Sequence, residues 1–152
     1  MSAGRERVQS VHNRGVILTA ALAMGHLALA GVATGFVLSG SLEPAFSTTP
    51  LLRGAVAVMG LLMLGAATVI GGRLAEAPAG ATPDDAAQRY PTGLVVGMAL
   101  REAVGLAGAM LILLAGDLVV GGALVAAALL TMIAAAPRRA DIESRLRRAS
   151  GS

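Results

Sequence analysis

A chain of 152 residues has room for one compact domain, yet 55% of it is hydrophobic and only 14% charged, too little polar surface to face water, so lipid is the expected solvent. Cysteine is absent, which excludes disulfides, thiolate metal ligands and thiol nucleophiles. The net charge of +3 is carried by arginines beside apolar runs, in a chain only 2% aromatic and so poor in side chains to stack bases, and reads as a topology signal rather than a nucleic-acid surface.

Residues 1–15 are polar, with Arg5, Arg7 and Arg14, and lead into an apolar run over 16–38. About 20 residues at 1.5 Å each cover the hydrocarbon core, so this run predicts a first span. Ala28-Leu29-Ala30 resembles a signal-peptide cleavage site, but the run is longer than the roughly 7–15 apolar residues of a signal peptide, which favours a span. Further spans are predicted over 51–70, 92–115 and 118–136. Pro44, Pro50, Pro78, Pro83, Pro91 and Pro137 all lie outside or at the edges of these runs; because proline removes a donor and blocks the preceding turn, they mark the expected boundaries. Gly116-Asp117 leaves room only for a tight hairpin between the last two helices, with Asp117 placed to cap the fourth. The second loop reads as a flexible linker, with Asp84 and Asp85 starting a short surface helix. In the tail, Asp141/Arg145 and Glu143/Arg147 are helical pairs and Ile142 and Leu146 share one face. Arg138, Arg139, Arg145, Arg147 and Arg148 are expected to meet anionic headgroups.

Four spans put Arg5, Arg7, Arg14, Arg73, Arg89, Arg138, Arg139, Arg145, Arg147 and Arg148 on one side and leave Arg53 alone on the other. The positive-inside rule then predicts an all-α membrane protein, four transmembrane helices in an antiparallel bundle with both termini cytoplasmic. The expected organisation is an amino-terminal segment over 1–15, a membrane domain over 16–136 and a basic tail over 137–152, in a bacterial inner membrane.

Ionisable groups at bilayer depth cost about 2.5–3.5 kcal/mol each on insertion scales, so those that persist need a reason. His26, Arg101 and Glu102 are the candidates. His26 and Glu102 fall at similar depth and are expected to face each other. Arg101, about 100° around the helix from Glu102, should either snorkel toward the cytoplasmic headgroups or meet an acid on another subunit. Three readings stay open: a polar contact that fixes helix register, a proton- or ion-carrying carboxylate, or a docking site for a larger complex. Gly31 with Gly35, Gly93 with Gly97, Gly105 with Ala109, and Gly122 with Ala126 carry the small-residue spacing of close helix contacts, within the chain or between copies. No phosphate loop, zinc helix or hydrolase elbow is present in the sequence, so neither an enzyme nor a cofactor is expected.

The string Ala99-Leu100-Arg101-Glu102-Ala103-Val104-Gly105-Leu106-Ala107-Gly108 resembles the carboxylate helix of the ATP synthase subunit c family, preceded as there by a glycine-bearing helix and a cytoplasmic loop. The resemblance implies Glu102 as an ion-binding carboxylate in an oligomer. It departs from the family at Arg101 and Ala107, where an apolar and an aromatic residue are usual. The whole pattern, with a first-helix His, a mid-helix Glu and a Pro-Arg-Arg tail, is similar to small bacterial four-helix membrane proteins that share the segment. The reading favoured by the sequence is a structural or accessory subunit, a homo-oligomer or part of a larger membrane complex. The alternative is an oligomeric ion conductor using Glu102 and His26.

Overall fold

The computed structural model describes residues 2–41, 43–76, 78 and 82–149. Residues 77 and 79–81 of the second loop, and the side chains of Arg5, Arg7, Leu146 and Arg147, lie outside the described residues, while most of the stretch read as a flexible linker is helix, up to Ala75 and again from Pro83. The described chain is all-helical: α1 Ser2–Leu38, α2 Pro50–Ala75, α3 Pro83–Ala115, α4 Leu118–Ala134 and α5 Arg139–Ala149. Their ends follow local chemistry. Thr49 accepts from the Leu52 amide and Pro50 occupies the first turn, so α2 starts where its orphan donors are met. Thr82 and Asp85 form a reciprocal capping box that starts α3. Gly116 closes α3 with φ 64°, a left-handed conformation suited to glycine, and its amide reaches the Ile112 carbonyl at 2.9 Å. Asp117 caps α4 by accepting from the Val120 amide at 3.1 Å, as its position suggests.

Pro91 is not a helix boundary. α3 runs through it without a break, so the expected short surface helix and the third span are one helix of 33 residues. The ring lies on an exposed stretch, where the carbonyl it strands can be hydrated, and the capping box at Thr82 and Asp85 already fixes the helical start. α1 likewise includes the polar amino-terminal residues in one helix of 37 residues, about 55 Å long. Pro137 does act as a break: α4 stops at Ala134, and α5 leaves at a bend of 59°.

Three helices are long and apolar enough to cross a membrane, and the number is four if α4 with α5 counts as one bent span. That is what a multi-pass membrane protein requires. α3 and α4 form the middle, while α1 and α2 lie on opposite sides of them and do not touch each other. Each side has its own apolar cluster: Ala33 of α1 with Ala109, Ile112 and Val125 on one, Leu64 of α2 with Val104, Leu124 and Ala128 on the other. The elbow after α4 seats Pro137 on Gly15 of α1, where a Cβ would come within 2.7 Å of the proline ring. From there α5 folds against α1 and α3. Its Ile142, 3% exposed, shares a small cavity with Val11, Ala86, Ala87 and Tyr90, so this apolar face of the tail packs on protein rather than on lipid.

At the other end the first loop folds over the α3–α4 turn. Ala45 donates its amide to the Leu114 carbonyl at 2.7 Å. Arg53 of α2 donates to the Asp117 carboxylate at 2.7 Å, and the Thr48 hydroxyl donates to the same oxygen at 3.0 Å. Burial of Asp117 would raise its pKa, but the Val120 amide, Thr48 and the Arg53 guanidinium together outweigh this and hold it below the usual carboxylate range. A carboxyl depressed on folding stabilises the fold above the ordinary value of about 3.9, and the contribution disappears as pH falls through the lower folded value. Asp117→Asn should therefore lower the unfolding midpoint in mixed micelles at pH 7 and flatten its loss on acidification below that range. A variant with the parent's midpoint and acid slope would show that the latch contributes nothing.

Candidate functional site

Arg101 points back along its own helix. One terminal nitrogen donates to the Gly97 carbonyl at 2.8 Å and the other to the Thr68 hydroxyl of α2 at 3.1 Å. Thr68 in turn donates to the Leu64 carbonyl at 3.1 Å, so the hydroxyl is both acceptor and donor. The guanidinium can lie there because Gly97 has no side chain; a Cβ at that position would be 3.0 Å from it. Arg101 is only 6% exposed, its Nε has no partner, and no described carboxylate pairs with it. The side chain turns toward the Gly97 end of α3 but stays buried. Its side-chain partner is a threonine 33 positions earlier, which spacing alone does not single out.

His26 is 2% exposed and packs against Gly105, and neither ring nitrogen has a hydrogen-bond partner. Glu102, half-buried one turn before Gly105, lies close enough for its charge to act on His26. No hydrogen bond or ion pair joins them. The contact His26 makes is with a glycine notch rather than with the carboxylate it was expected to face. Arg101 and Glu102 diverge around α3, the first toward α2 and the second toward α1.

The glycines divide into two groups. Gly93 and Gly97 form a tight seam with α2: a Cβ on Gly93 would stand 2.5 Å from both the Gly71 carbonyl oxygen and the Ala75 amide nitrogen. Gly60, Gly108 and Gly121 make comparably close approaches, Gly71 a looser one of 3.0 Å, and sequence spacing does not distinguish them from the many other glycines. Gly31 and Gly35 are exposed, with nothing within 4 Å of a Cβ. The residue of α1 that packs inward beside them is Ala33.

Among the basic residues of the tail, Arg138, Arg139 and Arg148 are exposed, while the Arg145 guanidinium lies over the Tyr90 ring, 5.7 Å from its centroid. Arg145 and Tyr90 also border a cleft of about 280 Å³ between α2, α3 and the α4–α5 elbow, which reaches Arg101 and Thr68. No group of three or more His, Cys, Asp or Glu able to hold a metal occurs among the described residues.

These features define a multi-pass helical protein with a polar layer inside its bundle. Comparison with protein-family models, curated proteins and solved structures finds no match to the chain.

Proposed function

We propose that the protein is a four-span, bacterial inner-membrane subunit with antiparallel spans and both termini cytoplasmic, which associates through its transmembrane helices and has a structural or accessory role. The observation that supports this is the outer face of α1. Gly31 and Gly35 lie one turn apart, exposed and with open space in front of them, amid exposed Leu27, Val32 and Leu38. Lipid tails gain little by contact with a glycine groove, whereas another helix can approach it closely. A second reading, an oligomeric proton or ion conductor, draws on Glu102: a half-buried carboxylate whose charge acts on His26.

One preparation tests both. The tagged chain, extracted with its surrounding lipid, is counted by single-molecule photobleaching and reconstituted into vesicles that report proton flux. Association that is lost in Gly31→Leu/Gly35→Leu supports the first reading; a monomer with or without the substitutions, and without co-purifying protein, overturns it. Flux in the parent that is abolished by Glu102→Gln would establish the second.

A further inference from the structure

The cleft between α2, α3 and the α4–α5 elbow is bordered by an arginine with which no described carboxylate pairs. Arg101 forms part of its wall and, only 6% exposed, stands there as a buried cation. Such a charge is costly unless an anion accompanies it. Two of its five N–H donors are used, on Gly97 and Thr68. The same cleft is bordered by Arg145 and by Asp141, so the arginines exceed the acid by one charge, and Tyr90 also lines it. The volume, about 280 Å³, is that of a small ligand headgroup. Gly97, Gly93 and Gly71 supply a wall without side chains.

We propose that this cleft binds a phosphate group, with Arg101 as its inner anchor and Arg145 at its rim. A planar guanidinium with donors to spare suits phosphate oxygens, and Arg145 adds a second fork. The phosphate comes either from a phospholipid headgroup or from free phosphate. Apolar Ala67, Leu94 and Ala134 beside the polar end suit a headgroup with its chains attached.

The full chain, purified in mild detergent, is examined by native mass spectrometry for retained phospholipid, and after delipidation is titrated with inorganic phosphate by phosphorus NMR. Arg101→Gln and Arg145→Gln are compared, with helix content followed by circular dichroism. Retained phospholipid that falls about tenfold or more in Arg101→Gln, and by a smaller factor in Arg145→Gln, identifies a lipid site. Saturable phosphate binding with the same dependence, without retained lipid, identifies a free-phosphate site. Neither ligand bound, or binding unchanged in either variant that keeps the parent's helix content, overturns the proposal. Should Arg101→Gln fail to fold, Arg145→Gln alone decides.

Discussion

Gly93→Ala is expected to destabilise the protein by about 3 kcal/mol, the upper end of what overpacking costs, because the atoms it meets are backbone. A methyl group there would lie 2.5 Å from the Gly71 carbonyl oxygen and 2.5 Å from the Ala75 amide nitrogen, and no rotamer change on α2 can move either. Relief requires the helices to separate. Separation would also pull Thr68 from Arg101, a bond of 3.1 Å that leaves little slack, and loosen Ala67, which is fully buried. Reversible unfolding by SDS in mixed micelles measures the effect. Gly65→Ala is the control on α2: nothing lies within 4 Å of its Cβ, so it should stay within about 0.5 kcal/mol of the parent. Equal midpoints for the two variants would mean that α2 and α3 are not in the close contact described.

The helices were legible in the sequence because their signals are local. Hydropathy marks the apolar lengths, and the cap at Asp117 depends on a backbone amide three positions away. The proline rule worked at Pro50, Pro83 and Pro137 but not at Pro91, since a proline on an exposed helical stretch can be accommodated when its stranded carbonyl is hydrated. What the sequence did not display is which residues meet across helices. Arg53 and Asp117 are 64 positions apart, and Arg101 and Thr68 are 33 apart; with no alignment of pairs along a single helix, only the fold joins them. Glycine spacing was equally blind. Gly31 and Gly35 carry the same pattern as Gly93 and Gly97, yet one pair faces outward and the other is the tightest part of the α2–α3 seam. In a chain with 20 glycines, that distinction depends on the rotation of each helix, which a nearly uniform apolar face does not encode.

The contact of His26 with Gly105 yields the second large effect and separates a packing role from a proton-handling one. A Cβ on Gly105 would fall within the imidazole, against Nε2 and Cε1, so the ring and an alanine cannot share the space. Gly105→Ala should cost about 1–3 kcal/mol as overpacking. His26→Ala leaves a cavity but also removes two buried nitrogens that have no hydrogen bond, and these opposing terms offset one another in part. Combining the two substitutions places a methyl where the ring had been, so the double variant should be more stable than Gly105→Ala alone. The coupling between the sites should be about 1–3 kcal/mol in the favourable direction. Additive losses in the double-mutant cycle, read by the same SDS unfolding, would show that the notch does not hold the ring. Because the double variant keeps Glu102 and restores the α1–α3 contact without an imidazole, it also tests what the histidine is for. If His26 only sets helix register, association measured by photobleaching should return with stability. If it works with Glu102 in moving a proton, stability should return while flux does not.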